Sequence, residues 1–148
     1  MIQPQPRERK EFKSFKDLFD RMDPKDSSRE VKSVKSIPII SELISDYFAG
    51  DLTAFGGIKV RQPGADFSQD IWKAMRKIPV GKTWSYSDLA SRAGSPNAVR
   101  AVGTACARNL IAPIVPCHRV IKTGGALGNY GYGLQIKDWL LRHEGALK

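Results

Sequence analysis

The sequence predicts an α+β fold that is mostly helical, with a helix-turn-helix and a small sheet beside an active-site loop. Three observations carry that expectation. Apolar residues recur at helical spacing in several separate segments. Serine, proline and glycine stand where those segments start and stop. A short apolar run, Ile114-Val115, leads into Pro116-Cys117-His118-Arg119-Val120, which puts one cysteine beside a histidine. We divide the chain into residues 1–66, a shortened N-terminal region that is partly linker, and residues 67–148, which carry the chemistry.

The elements follow in order. Phe12, Phe15, Leu18 and Phe19 suit one short amphipathic helix, and Asp23 to Ser36 reads as an exposed linker. From Ile37 to Phe48 the residues Ile40, Leu43, Ile44, Tyr47 and Phe48 form an apolar stripe, with Pro38 in the first turn and Gly50 as the stop. Residues 51–66 read as a loop. A helix is expected from about Ser68 to Ile78, with Ile71, Trp72, Met75 and Ile78 on one face. Ser85-Tyr86-Ser87-Asp88 is a capping-box start for a helix reaching about Ala93, and Gly94 suits its exit. Ser95-Pro96 reads as N-cap and first position of a helix to about Arg108. Together the two helices and their four-residue turn read as a helix-turn-helix. Thr123-Gly124-Gly125 is a turn, Ala126 to Gly133 a glycine- and tyrosine-containing loop, and Leu134 to Glu144 a final helix with Trp139, Leu140 and Leu141 inward.

Composition excludes several classes. No run of about 18 apolar residues exists, so no membrane span is expected. The polar first ten residues lack a signal core. Cys106 and Cys117 are too few for a disulfide framework, and the histidines His118 and His143 give no zinc spacing. We expect a reduced, intracellular protein with no metal. The net charge of +9 is placed unevenly. Residues 1–66 hold 12 Lys/Arg against 11 Asp/Glu, whereas residues 67–148 hold 12 against 4. That surplus suits a polyanion, nucleic acid first and an acidic membrane surface second; a basic protein without such a partner reads equally well.

Cys117 beside His118 and a fixed positive charge is a candidate thiolate, since nearby cations lower a thiol pKa. The competing reading is a buried structural thiol. Cys106 is expected only to pack. The helix ending at Arg108 is rich in small residues, with Ala98, Ala101, Gly103, Ala105 and Ala107 around Arg100. Small residues allow close approach to another surface, and an arginine rising from them could enter a DNA groove. The alternative is a tightly packed helix with a solvated arginine. Arg119 is expected to pair with a carboxylate.

The strings IPVGKTWSYSDLASRAGSPNAVRAVGTACARN, IVPCHRVI and GNYGYGLQIKDWLLRHEG closely resemble the catalytic domain of O6-alkylguanine-DNA alkyltransferases, the methylated-DNA–protein-cysteine methyltransferases. The resemblance spans about residues 67–148, and YFAGDLTAF resembles that family's inter-domain segment. It implies a winged-helix-like domain that repairs DNA by irreversible transfer of an alkyl group to a cysteine, after flipping the base from the duplex. Cys117 is then the acceptor, His118 draws its proton through a water, and Glu144 orients His118. Tyr86 contacts a phosphate and donates toward guanine N3. Arg100 fills the gap left by the flipped nucleotide, and Ala98, Ala101 and Gly103 lie on the helix that enters the minor groove. Asn109 is a hinge, the backbone near Cys117 and Val120 reads the guanine edge, and Gly131 and Tyr132 line the pocket. Tyr132 stands where glycine is common, as Leu110 and Ala112 stand where proline is common.

The resemblance further implies duplex DNA bearing O6-alkylguanine as partner, no cofactor, no membrane, a monomer, and a cytoplasmic site of action, nucleoid-associated or nuclear according to the host. Two other functions fit parts of the sequence. A non-catalytic damage-recognition module would replace the acceptor cysteine, and a cysteine hydrolase would leave the helix-turn-helix and basic surface unexplained.

Overall fold

The computed structural model describes residues 20–22, 24–27 and 34–148. The helix expected over Phe12 to Phe19 lies outside them. The chain divides into two compact units, one ending at Pro63 and the other running from Gly64 to Lys148.

In the first unit a single helical turn, Pro24–Ser27, precedes helix α1, Ile40–Ala49. Pro38 lies before α1 rather than within its first turn, and its carbonyl accepts the Ile40 amide at 2.8 Å. Gly50, at φ 118°, ends α1 in a left-handed conformation that favours glycine. Of the expected stripe only Tyr47 is fully buried; Ile44 is exposed, and Ile40, Leu43 and Phe48 are half-buried. Tyr47 stacks on Phe55 with ring centroids 4.3 Å apart. Among the described residues of this unit the buried ones are Tyr47 and, beyond α1, Ala54, Phe55, Ile58 and Gln62.

The second unit is α+β and mostly helical. Helix α2 spans Asp66–Met75, β1 Trp84–Ser85, α3 Tyr86–Arg92, α4 Val99–Arg108, β2 Val120–Ile121 and α5 Leu134–His143. Helix α2 begins earlier than expected and buries Ser68 along with Ile71, Trp72 and Met75. The Trp72 indole donates to the Ala105 carbonyl at 2.9 Å, so this large ring buries its polar atom without cost and binds α2 to α4. Ser85 caps α3 as expected: its hydroxyl accepts the Asp88 amide at 3.0 Å, and the Asp88 carboxylate accepts the Ser85 amide at 3.1 Å.

The start of α4 corrects the sequence reading. Gly94, at φ 81°, closes α3 through bonds from Gly94 N to Ser91 O and from Ser95 N to Ala90 O. Residues 95–98 are then spent in a turn, with the Ala98 amide on the Ser95 carbonyl at 2.9 Å. Pro96 sits at a turn position that its fixed φ suits. The helix starts at Val99 with Ala98 before it, so Ser95 is no N-cap and the connection covers residues 93–98. Arg100 consequently lies at the second position of α4.

Strands β1 and β2 run parallel, with Trp84 opposite Val120 and Ser85 opposite Ile121. Two residues per strand make a clamp rather than a sheet. Its effect is to hold the segment after Cys117 beside the start of α3. Helix α5 packs Ile136, Leu140 and Leu141 inward as far as the core reaches, with Lys137 among them. Trp139, expected inward, is half-buried and stacks on the His143 ring at 4.8 Å.

Candidate active site

Cys117, His118 and Arg119 form one 3-10 turn leading directly into β2, and all three side chains are buried. The turn is short because β2 must begin at Val120 to meet Trp84. Asn109, the residue ending α4, reaches into it. Its Nδ2 donates to the Val115 carbonyl at 2.8 Å and to Cys117 Sγ at 3.2 Å. Its Oδ1 accepts the Ile111 amide at 3.1 Å. One buried amide thus ties the end of α4, the turn before Cys117 and the sulfur together.

The two residues after Cys117 enter a charged network. Arg119 grips Glu144 with Nε to Oε2 at 2.8 Å and Nη2 to Oε1 at 2.9 Å, and its Nη1 donates to the Ile78 carbonyl at 2.8 Å. His118 Nε2 lies 2.9 Å from Glu144 Oε1. Burial alone raises the Glu144 carboxyl, but bonds from His118 and Arg119 and the Arg119 charge hold it well below the usual carboxylate range. For His118 burial dominates and lowers the ring pKa; Glu144 opposes this, while the charges of Arg119 and Lys137 reinforce it. The imidazole is therefore neutral at pH 7. It donates Nε2–H to Glu144, which leaves Nδ1 as its basic atom. Nδ1 is buried and has no hydrogen-bond partner among the described residues.

This arrangement corrects the thiolate expectation. The charge of Arg119 is spent on Glu144, and His118 is neutral. Burial pushes the Cys117 thiol up, against the Asn109 bond, the Lys137 charge, a backbone bond and a bond from Tyr130. The sulfur is a protonated thiol, which would need a base in order to act as a nucleophile. Burial likewise raises the Tyr86 phenol to about 12, with the thiols of Cys106 and Cys117 adding to the shift. Tyr86 stays a hydrogen-bond donor at any physiological pH.

The remaining predicted residues fall into two groups. On α4, Arg100 and Ala101 are exposed, Ala98 and Gly103 are half-buried, and Val102 and Ala105 face inward. A Cβ added at Gly103 would meet nothing within 4 Å, so this face is shallow and open. On the loop between β2 and α5, Gly131 is exposed and Tyr132 half-buried. The Tyr132 hydroxyl donates to the Asn109 carbonyl at 3.3 Å, so the ring is turned toward the end of α4. Gly128, at φ 75°, lets this loop pass close to Tyr86: a Cβ there would come within 3.3 Å of the Tyr86 hydroxyl. Val120 is fully buried in β2.

Residues 66–146 match the family described as 6-O-methylguanine DNA methyltransferase, DNA binding domain. The chain belongs to that methyltransferase family. It is 45% identical over 108 residues to the methylated-DNA–protein-cysteine methyltransferase of Salmonella typhimurium, covering 73% of this chain and 63% of that one. The crystal structure of Mycobacterium tuberculosis O6-methylguanine methyltransferase superposes with a TM-score of 0.63 at 46% identity, over 71% of this chain and 63% of that chain. A structure of Mycobacterium tuberculosis OGT in complex with DNA gives 0.59 at 43% identity, over 66% and 63%. The chain thus spans a little under two thirds of the length of these relatives.

Within this methyltransferase fold the structure buries two groups that adjoin in the chain: Asn109 bonded to the Cys117 sulfur, and His118 and Arg119 bonded to Glu144. The carboxylate expected for Arg119 is Glu144. Sequence reasoning missed Lys137 and Tyr130. Lys137 sits in the apolar register of α5 between Ile136 and Leu140, and that misplacement was the available signal. Tyr130 carried none, since a loop tyrosine is ordinary. Among the described residues no group of His, Cys, Asp and Glu could hold a metal ion, and no helix is long and apolar enough to cross a membrane.

Proposed function

We propose that this protein repairs DNA by transferring an alkyl group from O6 of guanine to Cys117 Sγ, once per molecule. The observation that carries this reading is the buried Cys117 sulfur, held by Asn109 and followed directly in the chain by the His118–Glu144–Arg119 network. The Sγ–carbon bond forms as the carbon–O6 bond breaks. The thiol proton passes through one water to His118 Nδ1, and the guanine anion gains a proton in its place. Glu144 stabilises the transient imidazolium, and Arg119 keeps Glu144 ionised. The Tyr86 hydroxyl donates toward guanine N3 and makes the base a better leaving group. The thioether has no easy route back, so the protein is consumed.

The alkyl group lies inside the duplex, so the base must leave the stack. The small-residue face of α4 enters the minor groove of double-stranded DNA, and Arg100 takes the place of the flipped base. The basic surplus supplies affinity without sequence preference. On this reading the protein acts as a monomer without a cofactor, in the cytoplasm at the nucleoid, or in a nucleus. The test is a mass spectrum after incubation with duplex DNA carrying O6-methylguanine. One methyl group on Cys117, absent in Cys117→Ser while DNA binding persists, is the expected result. An unmodified protein that still binds DNA would mean a recognition module, and one that turns over substrate without an adduct a hydrolase.

A further inference from the structure

Lys137 is fully buried on a helix face whose other members are Ile136, Leu140 and Leu141. An apolar side chain would fill this site without desolvating a charge, so the ammonium demands an explanation. Its Nζ donates to the Val120 carbonyl at 2.6 Å and to the Leu127 carbonyl at 2.5 Å. Val120 opens the strand that follows Cys117. Leu127 belongs to the loop between β2 and α5, beside Gly128, which passes against Tyr86. That loop contains Gly124, Gly125, Gly128, Gly131 and Gly133, so its own backbone resists displacement poorly. Its internal bonds, such as Lys122 N to Ala126 O and Gly133 N to Tyr130 O, shape it, and side-chain bonds of Thr123 with Ser87 and of Tyr132 with the Asn109 carbonyl tie its two ends, which leaves Lys137 to hold its middle at Leu127.

We propose that Lys137 is a positioning residue, clamping the pocket loop to the acceptor strand through the Leu127 and Val120 carbonyls and so setting the space in which the alkylated base meets Cys117. The proposal rests on the alkyl-transfer reading above. Burial lowers Lys137 to about 8, against the pull of the Cys117 and Cys106 thiols, and the group persists as a cation at pH 7. Its Nζ also lies 6.0 Å from the centre of the Tyr130 ring on the same loop. A charged donor binds carbonyls more strongly than a neutral one, which suits a clamp on a glycine-rich segment.

The experiment compares the native protein with Lys137→Met, which keeps length and loses the donors. Single-turnover methyl transfer is followed against concentration of duplex DNA carrying O6-methylguanine, alongside Cys117 alkylation by iodoacetamide. The limiting transfer rate should fall at least about tenfold while the half-saturating DNA concentration stays within about twofold. Iodoacetamide, which needs no seated base, should react at a nearly native rate. An unchanged limiting rate, or an equal fall with both reagents, overturns the clamp; the second result would mean Lys137 acts on the sulfur alone. A native protein that leaves Cys117 unmethylated would instead refute the alkyl-transfer reading. A further measurement covers a variant that does not fold. In the native protein the Lys137 ammonium protons, followed by nitrogen-15 NMR, should exchange with water far more slowly than those of exposed lysines such as Lys73. Exchange at the same rate overturns the proposal.

Discussion

Replacing Glu144 by glutamine tests the charged network most directly. The shape barely changes, but the Arg119 guanidinium, 7% exposed, loses its counter-ion. Two charge-assisted bonds at 2.8 and 2.9 Å are affected. One carboxylate oxygen becomes an NH2 group, which sets a donor against an Arg119 donor. Only the Nη1 bond to the Ile78 carbonyl is untouched. Breaking one side of a buried pair costs about 3–5 kcal/mol. For a chain of this size each kcal/mol moves Tm by about 2–4 °C, so the melting point should fall by roughly 6–20 °C.

The loss should also depend on pH. The folded-state pKa of Glu144 lies below its ordinary value, so its contribution is complete above the unfolded value of 4.5 and fades as pH falls through the folded one. Urea denaturation of native protein and Glu144→Gln at pH 7.5 and 5.5, then below 4, measures this. The gap should be full at the first two values and shrink at the last. The double variant Arg119→Met/Glu144→Leu, which removes both charges, should recover at least about 2 kcal/mol relative to Glu144→Gln. A single-variant loss below about 1 kcal/mol, or a double variant less stable than both singles summed, would refute the reasoning.

Arg100→Ala should slow repair in duplex DNA much more than reaction with free O6-methylguanine, because only the duplex needs a flipped base replaced; equal losses would remove Arg100 from that role. Tyr132→Gly should raise the ratio of benzyl to methyl transfer, since the ring is turned toward Asn109 rather than outward, and an unchanged ratio would show that it does not shape the pocket. Ser85→Ala should lower stability by about 1 kcal/mol in urea through loss of the α3 cap, with no effect on the chemistry. Acid should weaken the native fold from about pH 6.5 downward: His118 is held neutral in the folded state, so the unfolded chain binds the extra proton first. His118→Asn should flatten that limb of the stability curve.

The sequence by itself determined most of the described helical segments, the α3 cap at Ser85 and the glycine exit at Gly94, and it singled out Cys117 as the candidate chemical centre. Those features are local: a hydroxyl three residues before its amide, a left-handed glycine, a cysteine beside a histidine. The start of α4 was misread because Ser95-Pro96 suits a turn and a helix entry equally well, and the bonds closing α3 had already claimed Ser95. The apolar stripe of α1 was legible as a pattern, but burial there depended on Tyr47 meeting Phe55. Tertiary structure alone decided the electrostatics. Arg119 stands two residues after Cys117, yet its charge goes to Glu144, 25 residues on, so it cannot serve the thiol. Asn109 reaches the sulfur, and Lys137 reaches two carbonyls, only because α4, β2 and α5 meet at one point. A pKa is set by every charge and dipole within a few ångströms, and chain order does not specify which groups those are.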